Sequence, residues 1–523
     1  MLIRFSILIL LYSTARVLFF ASNPRLHDAS LADLAVAFLA GFRADVVAIV
    51  LTNTILLLLA ALRRYVTGAW YEKFLNVVFL VCNLPFLIIN VVDLEYFKFT
   101  GERSNLSLWD VRSDVPFQLG NFIVYYWHLA LLAAAFIFLA SFFLPNGSAH
   151  YRFSSRRKRL WITCAALLLC LFLLGGERAL ERPVLPRTAA ATNPALRQLA
   201  QNSTLTLLRS QISCAARTSG GYSTTSIKEN EKLTMKAVDE SVTHSRRMGA
   251  GENVVIIIVE SLSSEYTGID GKSPDYAPFL TQLAEKNLSF ANHFANARRS
   301  IDALPSIFLG LPHLMPTTFR CAQSRRFQGM PSILREHGYR TLFFHGGRNG
   351  AGDFDRFAEQ TGFAQYFGAD EYGRADDSDG IWGIYDEQFL QFSARQLAMQ
   401  PEPFAAVIFT LSTHQPFKIP RQYEGRLPKG TLPIHESVGY LDHSLRNFFA
   451  AAERMPWFKR TLFVITGDHT GPTTTPRSRL IDAYRVPLIF YHPSLSLPLI
   501  NANKITQHSD IPASILDHLG VES

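Results

Sequence analysis

Four stretches of this chain place an ionisable or metal-capable side chain at the end of an apolar run. VVIIIV (254–259) is followed by Glu260, and TLFF (341–344) by His345. AAVIFTL (405–411) is followed by Ser412-Thr413-His414, and LFVI (462–465) leads to Asp468-His469. One such residue is most often a cap or a satisfied polar side chain. Four at the ends of successive runs describe a shared site. Glu260, Asp468 and His469 offer two oxygens and a nitrogen, a donor set acceptable to zinc or manganese. Ser300, in NARRSIDALPSIFLGLP (296–312), precedes a short helix-like run whose free N–H groups attract anions. A hydroxyl held by a divalent cation loses its proton more readily and becomes a nucleophile at neutral pH. The competing reading of Ser300 is an ordinary N-cap, worth ~1 kcal/mol.

Such residues meet only if a sheet gathers them. The four runs, with VPLIFY (486–491), suit buried parallel strands. APFLTQLAEKN (277–287), DEQFLQFSARQLAMQ (386–400) and ESVGYLDHSLRNFFAAAERM (436–455) read as the helices between them. This alternation predicts an α/β domain over 250–523 with a mainly parallel central sheet, in which ligands sit beyond the carboxyl ends of the strands.

Hydrophobic residues are 48% of the chain overall and are denser in its first third than in the rest. Segments 3–21, 45–62, 74–92, 120–144 and 158–175 are each long enough to cross ~30 Å of hydrocarbon. Arg63, Arg64 and Lys73 follow the second. Arg152, Arg156, Arg157, Lys158 and Arg159 lie at the start of the fifth. By the bias of basic residues these loops are cytoplasmic, 93–114 is outside, and everything after about residue 176 is outside. The expected organisation is a helical transmembrane domain of five spans (1–176), a linker with juxtamembrane helices (177–249) and an extracytoplasmic catalytic domain (250–523). The chain then reads as an integral protein of the plasma (inner) membrane. The net charge of +8 sits largely in runs beside apolar segments, so the membrane is expected as a partner and nucleic acid is not. Cys82, Cys164 and Cys170 lie in apolar segments. Cys214 and Cys321 could form one disulfide on the outer side.

NVVIIIVESLSS (253–264), APFLTQLAEKN, RRSIDALPSIFLGLP (298–312), FFHGGRNGAGDFDRF (343–357), TLSTHQPF (410–417), ITGDHTG (465–471) and HSDIPASILDHLG (508–520) run in the order of a known family. This half resembles the sulfatase-like catalytic domain of the alkaline phosphatase superfamily. With the spans, and with GFRADVV (41–47) and VVDLEYFKFTGER (91–103), the chain resembles lipoteichoic acid synthase-type phosphoglycerol transferases. The resemblance implies that Glu260, Ser300, Asp468 and His469 surround one divalent cation, Mn2+ or Zn2+, with Mg2+ also acceptable. It places the nucleophile at Ser300, where the family more usually carries threonine. His414 resembles the histidine that contacts the transferred phosphate or assists the leaving group, and His345, Phe354 and Arg356 resemble a headgroup pocket. The implied donor is phosphatidylglycerol, with phosphatidylethanolamine second. The implied acceptor is an envelope glycan or polymer.

Plainer readings stand beside these. His345 could be a core histidine, and Arg356 could pair with Asp353 or Asp355 on a solvated turn. Asp386 reads as a helix N-terminal acid, and His508 and Asp510 as structural caps. Arg298 and Arg299 could hold phosphate oxygens or lie on the surface. Phosphoethanolamine transferases typically carry GE-x-x-R where this chain has VESLSS. True sulfatases follow the nucleophile with x-Pro-x-Arg, whereas Ser300 is followed by Ile-Asp-Ala. A catalytically silent envelope-binding membrane protein is the reading from another class.

Overall fold

The computed structural model describes residues 2–144, 194–219, 251–311, 326–473, 480–497 and 504–521, with short breaks at 24–25, 28, 63–65, 67–68, 107, 109–114 and 272–273. Two compact units divide the chain: residues 1–109 with 119–219, and residues 110–118 with 220–523.

The helical unit contains α1 (Leu2–Ala21), α2 (Leu31–Thr52), α3 (Thr54–Leu62), α4 (Ala69–Thr100), α5 (Val115–Tyr125) and α6 (Trp127–Phe142). Among the described residues α1, α2 and α4 are long and apolar enough to span a membrane. The pair α5–α6, bent by 94°, makes a fourth if taken as one span. The protein is a membrane protein. The second span begins earlier than expected, at Leu31, and Asn53 breaks the helix inside the expected segment 45–62. At that break the Asn53 side-chain amide donates to the Ile49 carbonyl and across to Asn83 Oδ1. The third helix continues to Thr100 through residues expected in the outer loop. The expected fifth span, its basic flank 152–159, Arg63, Arg64, Cys164, Cys170 and Cys321 lie outside the described residues, so the disulfide expectation does too.

That extra length of α4 has a polar cause. Asp93 accepts from Arg103 at 3.2 Å and from the Ser104 amide at 2.7 Å, while Arg16 pairs with Asp45. Two further helices, α7 (Pro194–Ala200) and α8 (Ser203–Ser219), belong to this unit. Three consecutive residues at their junction each bond a different helix. Asn202 donates to Asp45 of α2 at 2.7 Å, Ser203 donates to Asp93 of α4, and Thr204 meets Tyr12 of α1 at 3.1 Å. GFRADVV and VVDLEYFKFTGER thus supply the buried carboxylates Asp45 and Asp93. Inside a membrane helix such charges persist only when paired.

The α/β unit is built on a seven-stranded sheet. Its strands are β1 (Asn253–Val259), β2 (Leu288–Phe290), β4 (Arg340–His345), β5 (Gln365–Phe367), β6 (Phe404–Phe409), β7 (Thr461–Gly467) and β8 (Leu488–Tyr491), in the order β2-β8-β7-β1-β6-β4-β5. A small parallel pair joins β3 (His293–Phe294) to β9 (Thr506–Gln507). β7, β1, β6, β4 and β5 are mutually parallel. The VPLIFY run differs from expectation, because β8 is antiparallel to β7. The described residues on either side of the connection lie at the carboxyl edge: Thr470 bonds the Ala483 carbonyl at 2.6 Å and the Ser264 amide bonds the Arg485 carbonyl at 3.1 Å. β8 therefore starts where β7 ends, without the crossover that a parallel partner needs.

Helices α9 (Pro278–Lys286), α10 (Ser300–Leu309), α11 (Met330–Glu336), α12 (Phe354–Thr361), α13 (Asp386–Leu397), α14 (Ile434–Ala452) and α15 (Asp510–Leu519) cover both faces. β1 is buried along its whole length. Val255, Ile257 and Val259 share one core with residues of α9, α13 and α14. Val254, Ile256 and Ile258 share another with α10, α11 and α15. The period-2 alternation of a strand buried on both faces fixes the direction in which the residue that follows it, Glu260, leaves the sheet.

Candidate active site

The parallel strands deliver their terminal residues to one edge. Glu260 follows β1, Asp468 and His469 follow β7, His345 closes β4, and His414 lies in the turn beyond β6. Thr413 ties that turn to β1, donating from Oγ1 to the Glu260 carbonyl at 2.5 Å.

Ligand-capable atoms of Glu260, Asp468 and His469 lie within 4.8 Å of one another. Ser300 Oγ donates to Glu260 Oε2 at 2.9 Å and stands 3.4 Å from His469 Nε2. Ser300 is the first residue of α10 and Arg299 occupies the N-cap, without a side-chain cap bond. The ordinary-cap reading of Ser300 therefore does not describe the geometry. His469 Nδ1 lies 3.2 Å from the Thr470 carbonyl, which can only accept. The proton is then on Nδ1, and the Nε2 lone pair faces Glu260 Oε1 at 3.5 Å and Asp468 Oδ2 at 3.4 Å.

Asp468 shows what this cluster is missing. Its Oδ1 accepts the amides of Ser261 and His469, each at 2.7 Å, while Oδ2 is buried without a hydrogen-bond partner. Burial and the neighbouring Glu260 charge push the Asp468 carboxyl well above its ordinary range. Burial also opposes ionisation of Glu260, but His414, His469 and the hydroxyls of Ser261 and Ser300 outweigh it and hold that carboxyl low. Burial keeps His469 below its usual value, with Arg298 and Arg299 adding to the effect. Two buried carboxylates, an inward imidazole lone pair and a hydroxyl form a donor set that fits a divalent cation, and a cation would satisfy the orphaned oxygen. Ser261 completes the cradle. Its φ of 55° is rare outside glycine, and it aims the amide at Asp468 while Oγ bonds Glu260 Oε1 at 2.7 Å.

A family model described as Sulfatase matches residues 252–521, just over half the chain. The chain belongs to the sulfatase family. Among curated relatives, the sulfatase domain is 25% identical over 233 residues to the lipoteichoic acid synthase-like YvgJ of Bacillus subtilis, covering 43% of this chain. It is also 25% identical over 293 residues to phosphoglycerol transferase I of Citrobacter koseri, covering 51% of this chain. The matches span 38% and 37% of those relatives' lengths, so under two fifths of each. Across 99% of this chain and 95% of the other, the fold is like that of the integral membrane protein lipooligosaccharide phosphoethanolamine transferase A (EptA) from Neisseria meningitidis, with 13% identity and a TM-score of 0.60. That likeness extends the family's fold through the membrane helices.

The remaining sequence candidates of the sulfatase domain fall into two groups. His345 and His414 reach the edge, and Phe354 joins them by stacking on the His345 ring with centroids 4.2 Å apart and planes 6° apart. Burial pushes the His345 imidazole down to about 3, so it is neutral. His414 Nδ1 lies 3.0 Å from the Gln415 carbonyl, which puts a proton on Nδ1 and the lone pair on Nε2. Arg356 instead pairs with Asp353 at 3.5 Å on a partly exposed turn. Arg299 lies 3.4 Å from Asp302. His508 donates from Nε2 to the Gly467 carbonyl at 2.8 Å, and Asp510 accepts the Gln507 amide at 2.8 Å, both as braces of the backbone.

Three positions escaped the sequence reading. Ser261 is described above. Trp382 packs against His414 at a tilt of 46°, with centroids 3.9 Å apart, and anchors its indole N–H on the Gln415 carbonyl at 2.6 Å. Asp386 is more than a helix-end acid. Its carboxylate accepts the Leu411 amide at 2.7 Å and the Ser412 amide at 3.2 Å, and its own amide donates to Ser412 Oγ at 3.1 Å, clasping the turn that carries His414.

Proposed function

We propose that this protein is a metal-dependent phosphotransferase that moves phosphoglycerol from phosphatidylglycerol, through a covalent Ser300 intermediate, onto an envelope glycan or polymer outside the cytoplasm. The observation that carries the reading is Ser300 Oγ at the N-terminus of α10, 2.9 Å from Glu260 and 3.4 Å from His469, beside the orphaned oxygen of Asp468. Glu260, Asp468, His469 and Ser300 would hold a divalent cation, Mn2+ or Zn2+. When bound it supplies Lewis acidity, lowering the pKa of the hydroxyl and offsetting charge on the phosphate.

The residues of the chain carry the steps. Ser300 Oγ gives its proton to Glu260 Oε2, 2.9 Å away, and attacks phosphorus; the Oγ–P bond forms and the P–O bond to diacylglycerol breaks. His414 Nε2, when protonated, gives its proton to the departing diacylglycerol oxygen. In the second half an acceptor hydroxyl attacks phosphorus and passes its proton to His414 Nε2, the Oγ–P bond breaks, and Ser300 Oγ takes its proton back from Glu260. Neutral His345 and the α10 N-terminus would donate hydrogen bonds to the phosphate oxygens.

Phosphatidylethanolamine is the second reading as donor, favoured by the whole-chain likeness to a phosphoethanolamine transferase fold. A direct assay decides. Purified full chain and Ser300→Ala are incubated with liposomes of labelled phosphatidylglycerol or phosphatidylethanolamine and Mn2+ or Zn2+. Diacylglycerol release from phosphatidylglycerol, with a phosphoglycerol mass on the Ser300 peptide that Ser300→Ala lacks, is the expected result. Release from phosphatidylethanolamine alone replaces the donor. Release from neither, with no bound metal, favours the silent envelope-binding protein.

A further inference from the structure

Three imidazoles stand at the carboxyl edge, and what faces each Nδ1 sets which nitrogen carries the proton. His414 and His469 each have a backbone carbonyl there, at 3.0 and 3.2 Å, so both keep the proton on Nδ1. His345 differs. Its Nδ1 lies 3.0 Å from the phenol oxygen of Tyr366, a group able to donate. The ring is fixed on its other sides. Phe354 stacks on one face, Phe409 stands edge-on at 5.7 Å, and a Cβ on Gly347 would come within 2.6 Å of Cε1. Tyr366 is equally fixed: it lies in β5 and stacks on Phe343 of the neighbouring strand, with planes 12° apart. The phenol keeps its proton, because burial and then the acids Asp355, Glu371 and Asp370 oppose its ionisation. Among the described residues, His345 Nδ1 is the one acceptor found for that proton.

We propose that Tyr366 is a positioning residue whose O–H donates to His345 Nδ1, so that the single proton of His345 sits on Nε2 and is offered as a fixed hydrogen-bond donor to an anionic phosphate ester. The role of the donor rests on the phosphotransfer reading; the tautomer does not. The edge then has a division of labour. His469 and His414 present lone pairs, one suited to a cation and the other to a moving proton, whereas His345 presents an N–H that holds the anion. The opposite tautomer would point a lone pair at a negatively charged oxygen and strand the phenol proton, two losses of the kind that a buried site tolerates poorly.

The test uses the full chain in detergent, labelled with 15N-histidine, with His345→Gln serving to assign the resonance. A proton on Nε2 in the wild type, redistributed toward Nδ1 in Tyr366→Phe, is the expected result. A wild-type proton on Nδ1 overturns the proposal. Kinetics on phosphatidylglycerol liposomes add a readout that a purely structural role would not move. Tyr366→Phe should raise KM about tenfold with kcat little changed. His345→Gln, whose amide N–H can stand where Nε2–H stood, should remain more active than His345→Asn. Adding Tyr366→Phe to His345→Gln should then cost nothing further, and an equal loss in that background would show Tyr366 to be structural only. If the wild type turned over no phospholipid, the functional reading would fall while the nitrogen shifts still decided the tautomer.

Discussion

The Ser261 amide donates to Asp468 Oδ1 at 2.7 Å, joining the ends of β1 and β7, and it does so from a left-handed backbone with φ of 55°. Glycine adopts that conformation freely, whereas a β-branched residue strains to reach it. Ser261→Gly should therefore keep metal affinity close to wild type, losing the Oγ bond to Glu260. Ser261→Val should bind Mn2+ or Zn2+ about tenfold more weakly, since strain of about 1–3 kcal/mol falls on the conformation that aligns Asp468. Calorimetric titration of metal-stripped protein measures both, and equal affinities would show that the amide does not shape the site.

At Ser300 the prediction separates chemistry from packing. Ser300→Ala removes the oxygen between Glu260 and His469 and should lower turnover about a thousandfold or more. Ser300→Thr keeps that oxygen and adds a methyl at a half-exposed position. It should stay within about tenfold of wild type, because the hydroxyl chemistry is the same. Liposome turnover alongside metal content checks this, and a Thr variant as inactive as Ala would argue against a hydroxyl nucleophile.

Acid should loosen the α/β unit. Burial pushes His508 down to about 4 in the folded chain, against about 6.5 when unfolded. Between those values the unfolded chain binds the extra proton, so stability is lost as pH falls from 6.5 toward 4. His345, down to about 3, acts in the same direction. Asp386 and Asp442, each pushed up to about 6 by burial, oppose them, because their native forms bind more protons from about pH 6 down to about 3.8. His508→Gln can still donate to the Gly467 carbonyl but does not titrate. Its thermal midpoint in detergent should fall less than wild type between pH 6.5 and 4.5. Parallel curves would exclude His508 as a source of the acid sensitivity.

Much of the edge was legible because strand patterning and chemistry coincide there. Glu260, His345 and Asp468-His469 each follow a run whose burial the sequence states directly, and parallel neighbours must end together. What was hidden depends on direction, not composition. VPLIFY has the pattern of any buried strand, and that pattern does not carry its antiparallel sense. Ser261 carries no mark of a positive φ. Trp382 and Asp386 act on the His414 turn from a separate segment, a contact that no periodicity announces. In the helical unit, Asp93 falls at the start of the expected outer loop and Asp45 at the edge of an expected span, and two of their partners, Ser203 and Asn202, come from beyond the described spans.

That last arrangement predicts how the helical unit fails. Asp93 is fully buried and accepts from Arg103, the Ser104 amide and Ser203. Asp93→Ala strands the buried Arg103 guanidinium and frees the α8 N-terminus, and should destabilise the unit by about 3–5 kcal/mol, the usual cost of breaking a buried ion pair from one side. Replacing both partners with apolar residues, Asp93→Leu with Arg103→Met, removes the stranded charge and should recover part of the loss. Ser203→Ala should cost only about 1 kcal/mol, one hydrogen bond's worth. Thermal melts of the full chain in detergent order the three variants. If Ser203→Ala proved as damaging as Asp93→Ala, the junction of α7 and α8, and not the Asp93–Arg103 pair, would be what holds these helices together.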